Sequence, residues 1–180
     1  LRPLVERIAR RGKSLADQLR RAASSAVLNL HEAMHNDPGN GRARLYTASL
    51  LLGVMRAAAG FSRDYALQRV AFGKPIAHHQ ALAFLITDMA MAVEGSRLLV
   101  HEAAARLDRG DDAEEACATA FLEAAEQATF VTPNAVQILG GHGFMQDYPV
   151  EKFYRDAKIG RIYEGTSNMP RLTIAKQLLR

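Results

Sequence analysis

With a single cysteine, Cys117, the sequence has no disulfide framework and no thiolate pair to hold a metal. Cys117 is expected to pack as a small apolar residue, and a cytoplasmic location follows from the same scarcity. Tryptophan is absent. No uninterrupted apolar run approaches the ~18 residues that span a bilayer, and no signal-peptide pattern is present, so no membrane partner is expected. Period-two alternation is missing too, which argues against a sheet-based fold. Six histidines are present. His31 and His35 flank Glu32 in HEAMH, a formal match to the H-E-x-x-H zinc pattern. No third ligand follows, so the pair reads as partly exposed polar side chains and no metal is expected.

Hydrophobic residues make up 48% of the 180, enough for the core of one domain or one compact piece of a larger protein. The net charge of +4 is uneven. Residues 1–44 carry nine Lys/Arg against four Asp/Glu, and residues 45–180 carry fourteen against fifteen. Arg7, Arg10, Arg11, Lys13, Arg20 and Arg21 are read as a solvated or interhelical face rather than a nucleic-acid surface. The chain opens on Leu1, not Met, from which a processed, excised or engineered piece is expected.

Ala, Leu, Arg, Glu and Met dominate the long segments, and these favour helix. Helices are predicted over about Pro3–His35, with Ser14 as a cap, then Arg42–Val70 and Ile76–Asp108. A fourth starts near Ala113, and Pro133 is expected to interrupt it, with Thr132 capping the continuation. Val150–Ile159 predicts a short helix, and a last one runs from Ser167 or Pro170 to the end. The breakers are NDPGNG (36–41), FGKP (72–75), DRGDD (108–112), GGHG (140–143) and DYP (147–149). The fold class is all-α, an antiparallel up-down bundle of four long helices plus short extra ones. The division is an N-terminal basic helical segment, 1–40, and a bundle, 41–180.

Three features carry possible chemistry. Glu164, in RIYEGTSNMPRL, is either a junction cap or a base aimed at a substrate. GGHGF follows a helix rather than a strand, so it is no dinucleotide fingerprint; it is either a helix C-cap or bare backbone for a ligand. Arg69, at a helix end, either satisfies the last carbonyls or grips a phosphate.

Two stretches, YALQRVAFGKPIAHHQALAFLITDMA (65–90) and NAVQILGGHGFMQDYPVEKFYRDAKIGRIYEGTSNM (134–169), occur in an order and at a spacing that resemble the C-terminal helical domain of the acyl-CoA dehydrogenase family. The resemblance covers residues 44–180. It implies an FAD-dependent α,β-dehydrogenation of acyl-CoA thioesters, with Glu164 as the base that removes the acyl α-proton. It places Arg69, Phe72, Gln80, Gln137 and Gly141 at the flavin, commonly across a subunit interface, and Thr166 and Asn168 as further flavin contacts after the base. It places Arg44, Tyr163 and Gly165 on the substrate side, and the Glu164 N–H as a donor to the thioester oxygen. Some relatives carry the base one position before that arginine, where Ala43 stands here. Phe121 replaces a lysine found in many relatives, and Pro133 replaces a helix-compatible residue.

The sequence contains no counterpart of the family's N-terminal helical domain or β-domain. The resemblance therefore implies a homo-oligomer whose missing β-domain is supplied in trans, or a chain inactive by itself. The alternative is a standalone, non-catalytic helical bundle that retains the motifs. Residues 1–43, with SLADQLRRAASSAVLNLHEA (14–33), instead resemble small four-helix-bundle proteins of the ribosomal-RNA intervening-sequence type, so a chimeric chain is expected.

Overall fold

The computed structural model describes residues 41–164 and 166–179. The expectations for the basic segment, Ser14, HEAMH and Gly165 lie outside the described residues.

Three long helices form the body: α1 (Gly41–Gln68), α2 (Gln80–Arg109) and α3 (Glu114–Leu139). Two short helices follow, α4 (Val150–Lys158) and α5 (Asn168–Leu178). The short α2–α3 turn makes those helices antiparallel neighbours, and α3 packs against all four others. The all-α bundle stands; the first predicted helix, over residues 3–35, lies outside the described residues.

The core follows from spacing. Ala48, Leu51, Leu52, Met55 and Ala58 recur along α1 every three or four residues and are all buried. They meet Cys117, Ala120, Phe121, Ala124, Ala128 and Val131 of α3, with Met89 and Val100 of α2 closing the third side. Small side chains on α3 let the helices approach closely, and burying one large apolar side chain among them contributes about 1.5–3 kcal/mol. By length and composition α1 is apolar enough to cross a membrane. Its apolar stripe is instead consumed by packing against α2 and α3, and Arg44 and Arg56 interrupt it.

Two expectations are corrected. Pro133 does not interrupt its helix: α3 runs unbroken from Glu114 to Leu139. Val131, Thr132 and Ala135 are fully buried around it, so packing on both sides outweighs the N–H that proline removes. Thr132 is no N-cap; its hydroxyl donates to the Ala128 carbonyl at 2.7 Å. FGKP is not a simple helix stop either. Val70–Ala71 and Lys74–Pro75 form a two-residue antiparallel ladder. Phe72 and Gly73 bridge it with φ of 53° and 81°, the left-handed pair of a type I′ turn.

Candidate active site

Glu164 lies in the loop between a 3-10 turn (Ile159–Arg161) and α5. The backbone there is strained: Glu164 has φ 55° and Thr166 φ 49°, both in the region that disfavours side-chain-bearing residues. A strained residue at this point needs attachments that hold it, and the structure supplies several. Gly160, two residues before Ile162, sits so close to α1 that a Cβ would lie 2.8 Å from Leu51 Cδ1. Tyr163 is half-buried and meets the Phe121 ring edge-on, centroids 6.5 Å apart. On the far side Pro170 is buried in the first turn of α5, as its missing N–H allows.

The loop faces the N-terminal end of α1. Arg44 is 92% buried there, since its relative exposure is 8%. Its Nη1 donates to Thr173 Oγ1 at 3.4 Å and lies 4.0 Å from Glu114 Oε1, while its Nε has no hydrogen-bond partner. A buried guanidinium with a free donor is prepared for an acceptor brought by a ligand. Burial pushes the Glu164 carboxyl above the usual carboxylate range, and the Arg44 charge opposes that in part. Burial raises the Tyr163 phenol as well, with the Thr47 hydroxyl pulling the other way. That hydroxyl feels the phenol although no hydrogen bond of normal geometry reaches it. Ser167 Oγ is a further buried atom without a partner. This end therefore gathers Arg44, Tyr163, Glu164, Thr166 and Asn168, the last two exposed beside the carboxylate loop.

The other predicted residues assemble at the opposite end of α1. Arg69, Gln137 and Gly141 line one open cleft with Tyr65 and His142. Gly140 caps α3 with φ 59°, and Gly141 has nothing within 4 Å of the position of a Cβ. The C-cap and bare-backbone readings of GGHGF are thus both met by adjacent glycines. The Arg69 side chain is exposed rather than folded back on the helix end. Phe72, at the tip of the hairpin, is 95% exposed, with its ring edge-on to His79 at 6.0 Å between centroids. Gln80 begins α2 and is exposed. An exposed cation, an exposed aromatic ring, two amides and glycine backbone with open space beside it suit a ligand with phosphates and a flat ring system.

From Arg44 to Arg69 is 25 residues of helix and its immediate exit, about 37 Å at 1.5 Å per residue. The predicted residues thus form two clusters, not one. Sequence reasoning passed over Thr47, Ser167, Glu126 and the Tyr65–His142 hydrogen bond of 2.9 Å. Thr47 is one helical turn from Arg44, so spacing alone could have found it. Glu126 had no local signal, because its partners are distant in sequence.

Residues 39–179 match the family model described as "Acyl-CoA dehydrogenase, C-terminal domain". An acyl-CoA dehydrogenase of Bacillus subtilis (strain 168) is 45% identical over 136 residues, which is 76% of this chain and 36% of that protein. The solved structure of butyryl-CoA dehydrogenase from Megasphaera elsdenii aligns with a TM-score of 0.77 at 39% identity, covering 78% of this chain and 37% of that one. The structure of PigA with FAD and proline aligns with a TM-score of 0.75 at 28% identity, covering 77% of this chain and 36% of that one. The chain spans about a third of the length of these relatives. The motifs, the all-α bundle and these matches agree: the chain belongs to the acyl-CoA dehydrogenase family, through that family's C-terminal domain.

Proposed function

We propose that this chain provides the flavin- and substrate-facing helical domain of an FAD-dependent acyl-CoA dehydrogenase, with Glu164 as the base. The observation that carries the reading is the state of Glu164. It is held in a strained conformation, with its carboxyl pushed up by burial, opposite the buried and incompletely partnered Arg44. A raised carboxyl is matched to taking a weakly acidic proton, here the one α to a thioester carbonyl. Arg44 and Tyr163 border the space that the acyl-CoA occupies, and the N–H of Glu164 donates to the thioester oxygen. FAD, when bound, accepts the hydride that leaves the β-carbon.

Arg69, Gln137 and Gly141 of the cleft, together with Phe72 at the hairpin tip and Gln80 at the start of α2, fit that cofactor's phosphates and rings. Of these, Arg69 stands about 37 Å along α1 from Arg44 at the Glu164 end, more than an extended dinucleotide spans. Their use at the flavin is therefore assigned to a second copy of the chain, so a homo-oligomer is part of the proposal. Thr166 and Asn168 serve the flavin beside their own Glu164. Glu164 is only half-buried among the described residues, so water exclusion needs a covering domain, in the same protein or supplied in trans. The 180 residues alone are then expected to be inactive.

The test exchanges residues 41–179 into the Bacillus subtilis relative in place of its matching third, and follows flavin absorbance and acyl-CoA-dependent dye reduction. A yellow, active exchange protein whose turnover falls at least ~10³-fold on Glu164→Gln supports the reading. A folded, yellow protein whose turnover is unaffected by Glu164→Gln removes it. Turnover by the 180-residue chain with added FAD would overturn the requirement for a cover.

A further inference from the structure

The loop that bears Glu164 is tied at both ends to one carboxylate on another helix. Glu126 lies on α3, one and a half turns beyond Phe121. Its Oε2 is 3.4 Å from Arg161 Nη2, and its Oε1 accepts from Arg171 Nη2 at 3.1 Å. Arg161 closes the 3-10 turn before the loop, and Arg171 lies in the first turn of α5 after it. Arg171 also donates through Nη1 to the Ser167 carbonyl at 3.1 Å. One carboxylate therefore reaches the entry of the loop directly and its exit twice over, once through Arg171 and once through the backbone that Arg171 holds.

We infer that Glu126 is a positioning residue: it ties Arg161 before the loop and Arg171 after it to α3 and so keeps Glu164 in its strained, half-buried orientation. An isolated pair of this exposure contributes little to stability, because water competes for both partners. The arrangement here differs in what it restrains. Two left-handed residues, Glu164 and Thr166, persist only while their surroundings over-determine the backbone. Tyr163 against Phe121 anchors the middle of the loop, and Glu126 fixes its two ends. None of these contacts touches a reacting atom. The inference rests on Glu164 being the functional carboxylate, but the strap itself is testable without catalysis.

The experiment compares the full 180-residue chain with Glu126→Gln, which keeps shape and removes charge, and with Glu102→Gln, which breaks an exposed pair to Arg106 on α2. Backbone amide exchange of residues 162–167 is expected to quicken roughly three- to tenfold in Glu126→Gln alone, with α1 and α3 unchanged. Raising salt to 1 M is expected to bring the unaltered chain toward the same rate. A carbon-13 NMR titration of the Glu164 carboxyl supplies the readout that a purely structural tie would not move. Its midpoint is expected to fall toward the ordinary carboxylate value in Glu126→Gln, as the side chain swings to water. Arg44 is the charged group acting on Glu164, and it is the same in both chains. Unchanged loop exchange overturns the strap. Quickened exchange with an unmoved Glu164 titration overturns the positioning role. Loss of flavin or turnover in the domain-exchange protein, with both of these readouts as expected, would count against the proposed function and not against Glu126.

Discussion

Gly143 and Val136 are packed so tightly that a Cβ on the glycine would lie 2.4 Å from the Val136 carbonyl oxygen and 2.9 Å from its Cα. The neighbour is helix backbone, which cannot rotate away. Gly143→Ala is expected to cost about 1–3 kcal/mol, read as a lower denaturant midpoint at unchanged slope. Gly141→Ala, two residues earlier and facing open space, is expected to leave the midpoint within about 0.5 kcal/mol. Gly141→Ala is then a clean probe of the cleft, because any effect on flavin binding is not an effect on folding.

Glu164 opposes folding stability at neutral pH in two ways. Its raised carboxyl means the folded chain binds that proton more tightly than the unfolded chain does, so ionising the group costs stability. Stability from this group is full below the ordinary carboxylate value of about 4.5 and declines as pH rises through the raised value. Glu164→Gln is expected to remove that decline and to melt higher than the unaltered chain at pH 8 but not at pH 4. Glu164→Gly also relieves the positive φ, adding about 1 kcal/mol. Thermal melts at the two pH values check both.

Phe121 is 1% exposed and supplies the ring on which Tyr163 rests. Phe121→Ala is expected to cost about 3–5 kcal/mol. Phe121→Lys is expected to be worse, because it buries an ammonium among Cys117, Ala124 and Ala125. Chemical denaturation ranks the three chains.

Pro133 lies inside α3 without breaking it. Its ring withdraws a helical N–H and crowds the preceding turn, so Pro133→Ala is expected to stabilise by about 1–3 kcal/mol. An unchanged or lowered midpoint would mean that the surrounding helix has adapted to the ring.

The helices were legible because periodic apolar residues and strong breakers fall where the chain turns. Gly110 and Gly140 close α2 and α3 close to the predicted ends. Pro133 misled because local propensity speaks against a helix that tertiary packing imposes. Glu164, Arg44 and the cleft residues were found through motif order. Nothing in their order says that 25 residues of α1 separate the two groups in space. Glu126 was invisible for another reason: its partners are 35 and 45 residues away, and only the folded chain brings them together.

Both clusters hang from one uninterrupted helix, and that makes α1 a ruler. Inserting one residue between Arg44 and Arg69 would advance one end by 1.5 Å and turn it by about 100° relative to the other. Arg69 and Arg44 would then point in unrelated directions. Length is therefore fixed within α1 to the single residue, and the exposed Asp111–Asp112 turn, which leads into Glu114 beside Arg44, adjoins one end of that ruler.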